Sequence, residues 1–170
     1  YLDYELIGVT QDDAAGEAFD KVAKMMGLPY PGGPSIDKAA RMGDESAYSL
    51  PKPRVEGKPL AFSFSGLKTA VLRTLQKEAG GDFTMPSYEI AGKLNEGQIN
   101  NMAASFQRTA CEILADKLEL AYKQYNPKTV VIAGGVAANL RLREEVQNRF
   151  DVEMQYAPMS LCTDNAAMIA

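Results

Sequence analysis

The chain has 170 residues, 46% of them hydrophobic and 24% charged, with a net charge of −4 and no histidine. This composition supports a folded core, the charge gives no sign of overall attraction to nucleic acid, and a Ser-His triad within the chain is excluded. No apolar run approaches the ~20 residues that span a membrane, and no signal-peptide pattern is visible. Two isolated thiols, Cys111 and Cys162, favour a reducing, cytoplasmic compartment.

The first elements in chain order are a strand and a helix. Residues 4–9 are rich in Leu, Ile and Val and predict a strand. A hydroxyl at Thr10 followed by an acid at Asp13 is typical of a capping box. The helix is predicted to run to about Met26, where Gly27 is the expected stop.

The middle of the chain alternates irregular segments with helices. Residues 28–34 contain three prolines and two glycines and predict a shaped loop, followed by a short helix over 35–42. Residues 43–60 are polar and predict a surface insertion. Apolar spacing predicts a helix over 67–78, and a connector with a short helical piece is expected over 79–97.

The last part predicts the clearest α/β unit. Residues 101–125 carry a long apolar stripe and predict the longest helix. A β-branched run over 129–133 predicts a buried parallel strand, and a helical pattern follows Asn139. Alternation over 152–156 predicts a strand exposed on one face, which a loop connects to a final helix. Strands alternating with helices indicate an α/β fold.

Carboxylates gather around the glycine-rich loop. Asp13, Glu17 and Asp20 share one predicted helix face, and Asp37 opens the next helix after Gly32-Gly33. Carboxylates beside such a loop suit ribose hydroxyls, an amine or a metal-bound ligand. The alternative is that these acids complement a helix dipole and pair with neighbouring lysines.

The turn after the predicted buried strand suggests a ligand site. A strand, Gly134-Gly135 and a helix start at Asn139 is the arrangement that binds an anion or nucleotide at a sheet's carboxyl edge. The alternative is a tight turn whose glycines serve packing alone. Asp164 lies at another helix start, where it either caps the helix or ligates a metal together with partners from elsewhere. Lys68 could approach Ser63 or Ser65, but this indicates a Ser–Lys nucleophile only weakly.

Six motifs, in order, resemble the TsaD (Gcp) family of tRNA threonylcarbamoyladenosine transferases, which belong to the ASKHA (actin/Hsp70/sugar kinase-like, RNase H-like) superfamily. Together they span nearly the whole chain. They are residues 12–21 (DDAAGEAFDK), 30–34 (YPGGP), 62–69 (FSFSGLKT), 104–107 (ASFQ), 134–139 (GGVAAN) and 161–167 (LCTDNAA).

The resemblance implies that residues 1–170 form most of a C-terminal ASKHA lobe with helical insertions, without the N-terminal metal-binding lobe. It implies transfer of threonylcarbamoyl from threonylcarbamoyl-AMP to N6 of the adenosine 3′ of the anticodon, in tRNAs reading ANN codons. We expect the chain alone to be inactive. One iron or zinc ion would be held by Asp164 and by two histidines of the absent lobe.

The resemblance also implies roles for particular residues and partners. Asp20, Gly33, Asp37 and Asn139 match substrate-binding positions of the family. No catalytic residue is assigned, because the tRNA amine is the nucleophile. TsaB- and TsaE-like proteins are the implied partners. The alternatives are another ASKHA nucleotide-binding enzyme, such as a small-molecule kinase, or a non-catalytic partner-binding lobe.

Overall fold

The computed structural model describes residues 3–150, 154–158 and 162. The α/β class is confirmed, with a predominance of helix. No helix in the described part of the chain is long and apolar enough to cross a membrane. The elements are α1 (Ala15–Met25), α2 (Gly32–Ala40), α3 (Ser65–Glu78), α4 (Ser87–Ile90), a 3₁₀ turn (Ala91–Lys93), α5 (Glu96–Tyr125), β1 (Val130–Ile132), a second 3₁₀ turn (Gly135–Ala138), α6 (Leu140–Gln147) and β2 (Met154–Tyr156).

The larger part of the fold is a helical half, formed by α1, α2, α3, α4 and the first two-thirds of α5. Their apolar faces share one core. Phe19 of α1 and Phe106 of α5 meet edge to face at its centre, with ring centroids 5.0 Å apart. Large buried rings of this kind contribute most to core stability. This core holds α1 and α2, which carry three of the predicted site residues, in fixed positions.

The smaller part is a strand half, formed by β1, the second 3₁₀ turn, α6 and β2. β1 and β2 pair in parallel, with Val130 opposite Met154. The core of this half is small: Cys111 and Ala115 of α5 pack against Leu142 and Val146 of α6. The predicted parallel strand, glycine turn and helix are therefore confirmed, and α5 belongs to both halves. The expectation that the strand is buried is wrong, because Val131 is 62% exposed.

The predicted strand over residues 4–9 is wrong. The segment forms no strand, and Tyr4 and Leu6 are 85% and 80% exposed. Its pairing is limited to an isolated parallel bridge between Thr10 and Phe62. The segment does carry apolar residues, but a strand requires a hydrogen-bonded neighbour along its length. Among the described residues, such a neighbour is present only at the C-terminal end of the segment.

The predicted capping box at Thr10 is also wrong. α1 begins at Ala15, and Thr10 Oγ1 donates to the carbonyl of Asp13 rather than accepting from a helix N–H. The neighbouring Asp12 accepts from Phe64 N–H at 2.7 Å, at the start of α3. The cap therefore serves a helix about 50 residues further along, which local spacing does not reveal.

Helices α2, α3 and α5 begin earlier than predicted. α2 starts at Gly32 because its first turn accommodates Pro34, whose missing N–H has no intrahelical partner there. α3 starts at Ser65, two residues before the expected start. α5 starts at Glu96 because Asn95 and Gln98 form a reciprocal capping box. The short helical piece expected in the connector is confirmed as α4.

Residues 43–60 contain no helix or strand and lie mostly exposed over α5 and α6. Tyr48 N–H donates to Ser105 Oγ at 3.1 Å, and Lys52 pairs with Glu112 at 2.9 Å. Glu45 reaches Arg141 of α6 at 3.4 Å. Fixed contacts to two helices therefore hold this segment against the fold. The predicted final helix lies outside the described residues.

Candidate substrate-binding site

Asp20 lies on α1 and points at the start of α2. Its Oδ1 accepts a hydrogen bond of 2.7 Å from the N–H of Gly32. This bond satisfies one of the free N–H groups that every helix start carries. Because Asp20 accepts from Gly32 N–H, that group is not available to a ligand. Gly33 N–H donates to no residue in the described part of the chain.

The two glycines differ in what surrounds them. A Cβ on Gly32 would lie 2.5 Å from Asp20 Cα and 2.7 Å from the Phe19 carbonyl oxygen. A Cβ on Gly33 would meet nothing within 4 Å. Packing therefore explains the glycine at Gly32 but not at Gly33. A glycine with open space beside it allows close approach of a ligand.

Asp37 lies one turn after Gly33, on the same face of α2. Its Oδ2 accepts from Arg41 at 2.6 Å. Its Oδ1 accepts a longer bond of 3.4 Å from Gln107 Nε2. Asp37 is only partly buried, so a ligand can still reach its carboxylate.

Asn139 caps α6, as its position after the glycine turn suggested. Its Oδ1 accepts from Leu142 N–H at 3.0 Å, and its Nδ2 donates to Gln107 Oε1 at 3.2 Å. Gly134 adopts φ +89°, which accounts for a glycine at that turn. The Cys111 thiol lies 3.7 Å from Asn139 Oδ1, and burial raises its pKa to about 12, so it stays protonated.

The structure therefore brings Asp37 and Asn139 together through a residue that the sequence analysis did not select. Gln107 lies on α5, is 6% exposed and contacts both predicted site residues. The available signal was an amide within the apolar stripe of α5, next to Phe106. A polar side chain on a buried face requires hydrogen-bond partners, so a glutamine in an apolar stripe indicates a buried polar contact.

Asp12 and Asp13 have a structural role in the described fold. Asp12 accepts from the Ser63 hydroxyl at 2.5 Å. Desolvation alone would raise its pKa, but hydrogen bonds from Ser63, Phe64 and Ser65 outweigh it and lower the pKa to about 2. Asp13 pairs with Lys21 and Lys68.

These contacts bear on two sequence hypotheses. Because Lys68 pairs with Asp13 and Ser63 donates to Asp12, the geometry does not favour a Ser–Lys nucleophile. Glu17 pairs with Lys21 at 2.8 Å. Asp13 and Glu17 are thus engaged with lysines, in line with the ion-pair alternative for this face, whereas Asp20 reaches α2.

An apolar groove of about 430 Å³ adjoins the glycine turn. The start of α1, the middle of α5 and the turn after β1 line it, with Gly16, Leu114, Leu118, Gly134 and Val136 among the lining residues. Concave, mostly apolar surfaces beside a few polar groups are typical of small-molecule sites. The groove therefore adds a candidate base-binding surface next to the Asn139 turn.

The predicted metal ligand Asp164 lies outside the described residues. Within residues 3–150, 154–158 and 162, no three Cys, Asp or Glu side chains are grouped so as to hold a metal ion. The described residues therefore do not offer a transition-metal site, and we assign no chemical step to a metal.

The fold and the site together define an α/β protein in which a strand, glycine turn and helix unit packs on a helical platform that bears carboxylates. The model of the TsaD family, described as tRNA N6-adenosine threonylcarbamoyltransferase, matches residues 1–170. The chain belongs to this family.

Curated relatives agree with this assignment. Proteins named tRNA N6-adenosine threonylcarbamoyltransferase from Thermosipho africanus and Symbiobacterium thermophilum are each 48% identical over 98% of the chain. The protein of that name from Gloeobacter violaceus is 49% identical over 98% of the chain. The chain covers 47%, 46% and 45% of these three proteins, so it spans less than half of their length.

Proposed function

We propose that the full-length protein transfers threonylcarbamoyl from threonylcarbamoyl-AMP to N6 of the adenosine 3′ of the anticodon, in tRNAs reading ANN codons. The observation that carries this proposal is the family match along the whole chain, with relatives that bear the name of this transferase. We further propose that the chain forms most of the C-terminal lobe of a two-lobe ASKHA protein. The parallel β1–β2 pair and the glycine turn support this placement.

In this reaction the adenosine amine forms a C–N bond to the carbamoyl carbon, the bond from that carbon to the phosphate oxygen of AMP breaks, and the amine loses a proton. The chain's own residues would bind and orient the donor. Gly33 offers an N–H group that has no acceptor among the described residues and lies beside open space. Asp37 offers a partly accessible carboxylate, and the groove beside Gly134 is apolar enough for a flat base. Holding reactants in position contributes a large part of many catalytic effects.

The metal is part of the same proposal. Asp164 would supply one oxygen ligand to iron or zinc, and two histidines from outside this chain would complete the set, since the chain has none. Such an ion, when bound, polarises a carbonyl. Tight zinc sites have three or four protein ligands, so calorimetry on this chain should show no specific zinc binding. Micromolar binding would contradict the assignment of the missing ligands.

The proposed partners are tRNA and TsaB- and TsaE-like proteins. A net charge of −4 makes a phosphate backbone a poor partner for this chain alone, so we propose that tRNA contact is shared with those proteins and with the rest of the enzyme. We place the protein in the cytoplasm. Cys111 and Cys162 are both free and buried, and free thiols are typical of reducing compartments.

The test uses the full-length protein with its partners, threonylcarbamoyl-AMP and unmodified tRNA, followed by digestion and mass spectrometry of the nucleosides. A tRNA reading ANN codons should gain the modification, and one reading other codons should not. Asp37→Ala should lower the yield at limiting donor by about tenfold, the effect of removing one hydrogen bond to a charged group.

The matched control is Asp82→Ala. Asp82 is likewise an acid whose carboxylate accepts short hydrogen bonds, but it is exposed and its partner is Thr84 in its own turn. This variant should modify tRNA like the parent protein. Absence of the modified nucleoside with the parent protein and all partners present would contradict the proposed activity.

A further inference from the structure

A chain of side-chain hydrogen bonds connects three helices at the candidate site. Asn139, at the start of α6, donates to Gln107 Oε1 at 3.2 Å. Gln107, on α5, donates from Nε2 to Asp37 Oδ1, on α2, at 3.4 Å. We call these three residues the amide relay. Its central member is almost completely buried, whereas both ends are partly accessible.

The direction of the amide relay is fixed at both ends. Asn139 Oδ1 accepts from Leu142 N–H, so the Asn139 amide must turn its NH₂ group toward Gln107. Gln107 therefore presents its oxygen to Asn139 and its own NH₂ group to Asp37. An ionised carboxylate can only accept hydrogen bonds. The helix cap and the carboxylate thus require the same orientation of Gln107, whose amide provides both the acceptor and the donor.

Each end keeps capacity for a ligand. Asn139 Nδ2 has a second N–H, and it donates to no residue in the described part of the chain. Asp37 uses one lone pair of Oδ1 for Gln107 and one of Oδ2 for Arg41, and each carboxylate oxygen has two. The amide relay therefore leaves one donor and at least two acceptor positions, on two different helices, in a defined relation to each other.

We propose that Gln107 is a positioning residue for the substrate: it sets the orientation of Asp37 and Asn139 without touching the donor molecule itself. This inference rests on the proposed function, since it takes Asp37 and Asn139 as substrate contacts. The chemistry at the two ends suits a ligand that carries both hydroxyl donors for Asp37 and an acceptor for Asn139, as the ribose and the carbamoyl group of an acyl nucleotide do.

Gln76 provides a matched control because it is the other fully buried glutamine of the described residues. It lies on α3 and is 3% exposed. Its Nε2 donates to the carbonyls of Phe83 and Met85 at 3.3 and 2.7 Å, away from Asp37 and Asn139. Gln76→Met and Gln107→Met each remove one buried amide and keep the side-chain length. Both should therefore lower the melting temperature, and only the second should alter substrate use.

The experiment measures KM for threonylcarbamoyl-AMP and kcat in the full-length protein, together with melting temperature. Gln107→Met should raise KM at least about tenfold, as expected when a charged group loses one of its hydrogen bonds, with a smaller change in kcat. Gln107→Glu should also raise KM, because its carboxylate accepts from Asn139 but repels Asp37. Gln76→Met should leave KM within about twofold.

The outcomes separate the two proposals. No modified nucleoside from the parent protein contradicts the proposed function itself. An active parent protein with an unchanged KM in both Gln107 variants overturns the amide relay and leaves the function intact. Equal changes of KM in Gln76→Met and Gln107→Met would show that loss of stability is responsible, and would also overturn it. If Gln107→Met fails to fold, Gln107→Glu carries the test, because it keeps one of the two hydrogen bonds.

Discussion

The helical half and the strand half position the candidate site residues in different ways. Asp20, Gly33 and Asp37 lie on helices that share a large core centred on Phe19 and Phe106. Asn139 belongs to a unit with a core of four buried residues and with Val131 62% exposed on β1. The strand half is therefore held in place by α5 and by polar contacts more than by its own packing. Polar contacts such as Gln107–Asn139 matter more where the core is small.

Among these predictions, substitutions in the two cores should give the largest changes in the free energy of unfolding, and the two halves should differ in the size of the loss. Phe106→Ala should lower the free energy of unfolding by about 3–5 kcal/mol, because it removes a fully buried ring. Leu142→Ala should cost about 2–3 kcal/mol, near the lower end for Leu→Ala, because the small core can relax. Denaturant melts measure both, and amide exchange should show the Leu142 effect concentrated in β1 and α6. Equal loss of protection across α1 and α6 in Leu142→Ala would contradict the division into halves.

Alanine substitutions at the two neighbouring glycines should distinguish a role in packing from a role in substrate binding. Gly32→Ala should destabilise by about 1–3 kcal/mol, because its Cβ would overlap the backbone of α1. Gly33→Ala should change stability by less than about 0.5 kcal/mol, because space is open there. In the full-length protein, Gly33→Ala should raise KM for threonylcarbamoyl-AMP, which steady-state kinetics would measure. Full substrate affinity in Gly33→Ala would show that the open space is not used.

Two substitutions at Asn139 should distinguish its role as the cap of α6 from its proposed role in substrate binding. Asn139→Ala removes the α6 cap and should cost about 1 kcal/mol. Asn139→Asp keeps an acceptor for Leu142 N–H but loses the donor to Gln107, so stability should be nearly kept while substrate affinity falls. Thermal melts and KM values test this pair. If Asn139→Asp binds substrate like the parent protein, Asn139 is a cap alone.

The same pair of measurements applies to Asp20. Asp20→Ala removes the acceptor for Gly32 N–H and should cost about 1 kcal/mol, as for the removal of a helix cap. In the full-length protein, we expect its effect on nucleotide affinity to exceed this effect on folding. A collapse of the melting temperature, with unchanged affinity per folded molecule, would make Asp20 a structural residue.

Acid should weaken the helical half slightly through Asp12. Its pKa lies below the ordinary 3.8 at about 2, so its stabilising contribution is present above about pH 5 and is lost as the pH falls from about 4 to 2. Because the side chain is exposed, we expect only about 1 kcal/mol. Asp12→Asn should melt earlier at pH 6 and lose less stability on acidification. Asp3→Asn, at another exposed acid, is the control and should behave like the parent protein at both pH values.

Local patterns in the sequence predicted elements whose signals are local. The β1 strand, the glycine turn, the α6 cap at Asn139 and the stop at Gly27 all depend on residues within a few positions. The Asn95–Gln98 capping box is also a local signal and marks the true start of α5. The apolar stripe alone predicts a start at residue 101.

Other errors arose where a hydrogen-bond partner is distant in the sequence. Asp12 caps α3, and Asp20 binds Gly32 N–H, twelve positions away. These partners cannot be found by spacing within one element. The candidate site shows the same limit: family motifs indicated Asp37 and Asn139, whereas the buried amide of Gln107 between them became visible only when three helices were placed together.

Helix α5 contributes residues to the cores of both halves. Its 30 residues extend about 45 Å. Its residues Phe106, Gln107 and Cys111 belong to the large core, the amide relay and the small core, respectively. One residue inserted after Gln107 would rotate everything beyond it by about 100°, turning Cys111 away from α6 and the strand half away from α2. We therefore expect insertions and deletions to be tolerated in residues 43–60, where no helix fixes the direction of the following side chains. We expect them not to be tolerated in the middle of α5.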